Sequence, residues 1–84
     1  MTEKIRELLA KHGGLPVAVD QIADDADLYA AGMSSFASVQ IMLAIEEAFD
    51  LEFPDTLLNR KSFQSIAAIT RAVEGLVRSA EAAE

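Results

Sequence analysis

Cysteine is absent from this chain of 84 residues. That excludes disulfides, thiolate metal sites and a cysteine nucleophile, and it is compatible with the expected reducing, cytoplasmic setting. Histidine occurs once, as His12. It falls on the apolar face of the first helical pattern and reads as a residue of a helical bundle, not as a general base. Long apolar runs are missing too. The longest, Ile41 to Ile45, is far short of the roughly 20 residues that a membrane-spanning helix needs. The opening Met1-Thr2-Glu3-Lys4-Ile5-Arg6 lacks the apolar stretch of a signal peptide. Basic residues are scarce, 7 against 14 acidic, for a net charge of −7. Such a surface argues against nucleic acid and anionic membranes as partners. It suits basic partner proteins, or serves solubility alone.

Enzymatic signatures are likewise missing. No phosphate-binding glycine loop or dinucleotide fingerprint is present. Gly32-Met33-Ser34-Ser35-Phe36 fails as a hydrolase nucleophile elbow at its last position, where glycine is required. Asp24, Asp25 and Asp27 cluster, but a calcium loop begun at Asp25 would place Ala30 where glycine is needed and Phe36 where glutamate is needed. The cluster reads as a solvated acidic loop, and no metal site is expected.

What remains is helical. Ile5, Leu8, Leu9 and His12 follow the i, i+3, i+4, i+7 spacing of one helix face, predicting a helix from about Glu3 to His12. Gly13-Gly14 stops it and Pro16 opposes resumption. Residues 13–34 form a long connection whose Leu15, Val17, Val19, Ile22 and Leu28 predict an ordered loop packed on the bundle, with a short helical turn near Asp20 to Ala23. A second helix runs from Ser35 to about Phe49, with Ser34 as N-cap. It is free of Gly and Pro from Phe36 onward. A short third helix is expected from Asp55 to about Asn59. Ser62 reads as the N-cap of a fourth, whose inner face is Phe63, Ile66, Ile69, Thr70, Val73, Leu76 and Val77. The Ala- and Glu-rich tail, 79–84, should fray. The fold class is thus all-α: a small four-helix bundle, three longer helices and one short, in a single domain spanning 1–84 with its core at about 3–78. A monomer is expected.

The second helix carries two apolar stripes where a bundle helix needs one. Ile41, Met42, Ile45 and Phe49 form the first, with Ser38 at its start. Phe36, Val39 and Leu43 form the second, bordered by Gln40, Glu46 and Glu47. A central helix would bury both. A domain this small has few elements to cover the second, which therefore reads as an at least partly exposed binding face. Ser35 lies at the start of that face. The Ser34-Ser35 pair could be a double cap. Alternatively Ser34 caps and Ser35 projects outward, where a phosphodiester would sit near free backbone N–H groups and the positive end of the helix dipole.

With these residues in place, the sequence resembles the acyl carrier protein superfamily. Asp27-Leu28-Tyr29-Ala30-Ala31-Gly32-Met33-Ser34-Ser35-Phe36 is similar to the family's attachment motif, an acidic-Leu segment leading to Gly-x-Asp-Ser-Leu. Val39 to Phe49, with Ala44-Ile45-Glu46-Glu47-Ala48-Phe49, resembles the helix that follows the motif. Phe53-Pro54-Asp55 resembles its apolar-Pro-acidic step into a short helix. The likeness covers about residues 5 to 78. It implies that Ser35 carries 4'-phosphopantetheine, placed there from coenzyme A by a phosphopantetheinyl transferase. The arm's thiol would hold cargo as a thioester, and the carrier itself would do no chemistry. It further implies that loading ligases or synthases dock on the second helix; there the second stripe and the two carboxylates at its end predict Phe36, Val39, Leu43, Glu46 and Glu47 as the docking face. Three positions depart from the pattern: Ser34 replaces the usual Asp, Phe36 the usual Leu, and Gln40 a frequent acidic residue. These favour a specialised carrier, for an aminoacyl, polyketide or unusual lipid cargo, over the housekeeping carrier of fatty acid biosynthesis. The rival reading is an unmodified helical interaction domain with the same fold and the same exposed face.

Overall fold

A computed structural model describes residues 1–82. Among them there is no strand, and three α-helices are joined by single 3-10 turns. The helices are α1 (Thr2–His12), α2 (Ser35–Phe49) and α3 (Ile66–Ala82). No helix among the described residues is long and apolar enough to cross a membrane.

Each helix ends where local chemistry dictates. At the end of α1, the Gly13 N–H donates to the Leu9 carbonyl at 2.8 Å, and the chain turns away at Gly14 with φ +60. Residues with a side chain rarely adopt that angle. The α2 helix closes on Asp50 in the left-handed conformation, φ 52 and ψ 57, and the Leu51 N–H returns to the Glu46 carbonyl. Packing follows the periodicity: Ile5, Leu8 and Leu9 of α1, Ala37, Ile41 and Ile45 of α2, and Ile66, Ile69 and Val73 of α3 are buried together. α1 packs against both α2 and α3.

The structure departs from expectation in five places. The short third helix is a single 3-10 turn, Asp55–Leu57, and a second such turn, Arg60–Phe63, follows, so the described architecture has three α-helices and not four. Ser62 does not cap the last helix. It lies within the second turn, where its N–H donates to Asn59 Oδ1. The cap is Ser65, whose Oγ accepts from the Ala68 N–H at 3.0 Å. His12 is exposed, not on the inner face of α1. Met42 and Phe49 are only half-buried, and the residue that joins Ile41 and Ile45 in the core is Ala37. Finally, α3 continues through 79–82, the start of the segment expected to fray. The rest of that tail, 83–84, lies outside the described residues.

The connection between α1 and α2 is ordered because it is both buried and tethered. Ile22, Leu28 and Met33 insert into the core, while Leu15 and Val19 pack at its edge. The break between the Arg60–Phe63 turn and α3 frees backbone groups that a continuous helix would consume. The loop's Leu28 N–H donates to the freed Gln64 carbonyl at 2.7 Å, and the Ala67 N–H in the first turn of α3 donates to the loop's Asp24 carbonyl at 2.8 Å. From the other side, Arg6 Nη1 donates to the Val19 carbonyl at 2.7 Å, and Arg6 pairs with Asp24.

Candidate functional site

The segment Asp27 to Phe36 is built so that one serine is displayed and its neighbours are anchored. Asp27 Oδ1 accepts from the Tyr29 and Ala30 N–H groups, at 2.9 and 3.2 Å, fixing a tight turn. Leu28 is completely buried within it. The turn returns through the Met33 N–H, which donates to the Leu28 carbonyl at 3.0 Å, and Met33 is buried as a second anchor. Between the anchors Gly32 has φ +120. A Cβ there would lie 2.7 Å from Pro16 Cδ, so the position requires glycine for both its angle and its space. The start of the long loop is thereby packed against its end, immediately before α2.

Ser34 and Ser35 then divide the work. Ser34 is extended, φ −79 and ψ 162, and its Oγ accepts from the Ala37 N–H at 3.0 Å. Ser35 is the first residue of α2 and is exposed. Its carbonyl accepts from Ser38 Oγ at 2.7 Å, while the capping of the helix start falls to Ser34, so the Ser35 hydroxyl stays available.

Beyond Ser35 the second stripe of α2 stands in solvent: Phe36 is 67% exposed, Val39 52% and Leu43 54%. Glu47 is exposed at its far end. Glu46 is half-buried, and its Oε2 accepts from the Phe53 N–H at 2.8 Å. That bond ties the end of α2 to the following loop, where the Phe53 and Phe63 rings meet with centroids 5.3 Å apart. Glu46 is therefore partly a structural residue, and Glu47 is the freer of the two charges.

A groove of about 360 Å³ opens beside Ser35. Ser38, Val39 and Met42 of α2 form one wall, and Tyr29 and Leu58 line it from the loops. Arg60 forms its charged edge, with the guanidinium carbon 4.2 Å from the centroid of the Tyr29 ring. Neither Tyr29 nor Arg60 stands out by sequence spacing. The one available signal was the Arg60-Lys61 pair in an otherwise acidic chain.

A helical domain that displays a serine at a helix start, beside an exposed apolar face and an open groove, has the form of a carrier. The comparison with known proteins agrees. The family model "Phosphopantetheine attachment site" matches residues 3–73, and the chain belongs to that family of phosphopantetheine-dependent carrier proteins. It is 68% identical over 83 residues to the aminoacyl carrier protein of Agrobacterium fabrum (strain C58 / ATCC 33970), covering 99% of this chain and 100% of that one. Its fold is similar to that of the carrier protein from Agrobacterium tumefaciens in complex with an engineered Bradyrhizobium japonicum glycine:[carrier protein] ligase and AMP. There the TM-score is 0.86 at 72% identity, over 88% of this chain and 99% of that one. It is also similar, with TM-score 0.72 at 25% identity over 84% of this chain and 95% of the other, to the glycylated carrier protein bound to the Bradyrhizobium japonicum ligase. The role of the chain is thus to carry acyl or aminoacyl cargo on phosphopantetheine and present it to partner enzymes, without catalysing a reaction itself. The site suits the group, because an accessible hydroxyl sits on a rigid helix start next to a groove with a cationic edge.

Proposed function

We propose that Ser35 is the attachment point of phosphopantetheine, that the cargo is aminoacyl, and that an amino acid:carrier protein ligase loads it while docked on the outer face of α2. The observation that carries the assignment to Ser35 is the division of labour at the helix start. Ser34 is consumed in capping, and Ser35 is displayed between two buried anchors and an exposed phenylalanine. A phosphopantetheinyl transferase would present coenzyme A to this hydroxyl. A bond forms from Ser35 Oγ to the phosphorus bearing the pantetheine, the bond to the departing nucleotide phosphate breaks, and the serine proton passes to a base on the transferase. When bound, the group supplies a terminal thiol for thioester cargo.

The aminoacyl reading is supported by the Agrobacterium fabrum relative and by the glycine:[carrier protein] ligase complexes of similar carriers. The docking reading is supported by Phe36, Val39 and Leu43 standing exposed in a row that begins beside Ser35 and ends at Glu47. Such a face fits a partner with an apolar patch rimmed by basic residues. Glu46 contributes its charge to the same rim while holding Phe53. The single-domain, monomeric and cytoplasmic expectations complete the proposal. The test is loading followed by aminoacylation: protein treated with coenzyme A and transferase should accept an amino acid from such a ligase, and Ser35→Ala should accept none. Equal aminoacylation of Ser35→Ala would contradict the proposal.

A further inference from the structure

The groove at Ser35 has one charged edge, in a protein whose net charge is −7. No lysine or arginine occurs anywhere on α2; the cation comes from Arg60, on the turn before α3. Arg6 holds Asp24 and the Val19 carbonyl, Arg78 pairs with Glu74, and Arg71 lines a separate hollow with Asp25 and Asp27. Among the described residues Arg60 has no carboxylate within ion-pair distance. Its guanidinium instead lies over the Tyr29 ring, 4.2 Å from the centroid. An aromatic face holds the flat of a guanidinium and leaves its N–H edge free to donate. The Tyr29 backbone is held by the Asp27 turn, and its ring and the Arg60 side chain both line the groove that Ser35 lines.

A phosphodiester on Ser35 would place one negative charge at this groove. Arginine meets phosphate oxygens through paired, charge-assisted hydrogen bonds. We propose that Arg60, propped on Tyr29, is the positioning residue for the arm: it pairs with the phosphodiester and directs the arm along the groove between α2 and Leu58. Phe36 and Leu43 are then left clear for a partner. The inference rests on Ser35 being the attachment point, and its test separates the two.

The protein is loaded with coenzyme A and a broad-specificity transferase, and peptide mass mapping locates the added group. Arginine Nε–Hε resonances and the phosphorus resonance of the arm are then recorded at low and high salt. The chain has one tyrosine and no tryptophan, so its intrinsic emission reports Tyr29 alone. In the wild type, loading should shift the Arg60 resonance and the Tyr29 emission, and salt should move the phosphorus resonance. Arg60→Gln should load at Ser35 and keep its melting temperature while losing the salt dependence; Arg60→Lys should restore part of it. If Ser35 is loaded but Arg60 and Tyr29 signals match the unmodified protein, Arg60 does not hold the arm. Arg60 is equally excluded from that role if Arg60→Gln weakens ligase binding while leaving the phosphorus resonance unchanged, since it would then serve the partner. Mapping of the group to another residue removes the premise and overturns both readings.

Discussion

Ile45 and Leu43 lie two positions apart on α2, and truncating each to alanine should give opposite results. Ile45 is fully buried, whereas Leu43 is 54% exposed. Ile45→Ala removes branched carbons from a packed interior and leaves a cavity, at a cost of about 2–5 kcal/mol. A domain of this size has roughly 4–12 kcal/mol of total stability, so the loss is a large fraction of it. At about 4–8 °C per kcal/mol, the melting temperature should fall by roughly 8 °C or more. Full burial of a leucine contributes about 1.5–3 kcal/mol. Leu43 has less than half of that to lose, and alanine returns a few tenths as the better helix former. Leu43→Ala should therefore cost about 1 kcal/mol or less. Against a loading ligase the order should invert: a docking residue at the centre of the contact is worth at least about 1–2 kcal/mol, a loss of roughly 5- to 30-fold in affinity. Paired thermal melts and binding titrations decide the matter. Unfolding of Leu43→Ala, or wild-type ligase affinity in that variant, would refute the assignment of this face to docking. A near-zero cost for Ile45→Ala would refute the core.

The remaining predictions concern backbone and charge. Gly32→Ala should destabilise by about 1–3 kcal/mol, because alanine is strained at φ +120 and its Cβ would collide with Pro16; chemical denaturation measures the loss. Gly75 is exposed in the middle of α3 with nothing near its missing Cβ. Gly75→Ala should stabilise by about 0.8–1 kcal/mol, visible as a higher melting temperature. Glu47→Lys should slow association with a basic-rimmed ligase and flatten its salt dependence without altering stability. Glu46→Lys should do the same and also lower stability, by about 1.5–3 kcal/mol for the lost charged hydrogen bond to Phe53; stopped-flow association and melts separate the two.

The parts of this molecule that were legible in sequence are those fixed locally. The bounds of α1 and α2, the Ser34 cap and the separation of two stripes on α2 all follow from spacing, stop signals and hydroxyl chemistry within a few residues. The exposed stripe was readable because a chain this short has too few elements to cover it. Spacing alone misplaces the start of α3, because Phe63 and Ile66 are three apart, a spacing shared by α-helix and 3-10 turn. What decided it lies elsewhere in the chain: the Gln64 carbonyl is needed by Leu28, far upstream in the long loop. By sequence Glu46 and Glu47 are alike, two surface charges on a helix. Only the fold brings the Phe53 N–H to one of them. The Arg60–Tyr29 contact joins residues from two loops and left no periodic trace. His12 keeps helical register with Leu8 and Leu9, yet it sits in the last turn of α1, where the helix has run past the core.

Ser35, and not Ser34, should bear the arm. Intact mass spectrometry after incubation with coenzyme A and a broad-specificity transferase tests it directly. The wild type should gain the mass of one phosphopantetheine, and Ser35→Ala should gain nothing. Ser34→Ala, weakened by about 1 kcal/mol for the lost cap but still folded, should gain the same single group as the wild type. Modification of Ser35→Ala, or a folded Ser34→Ala that stays unmodified, would contradict the account.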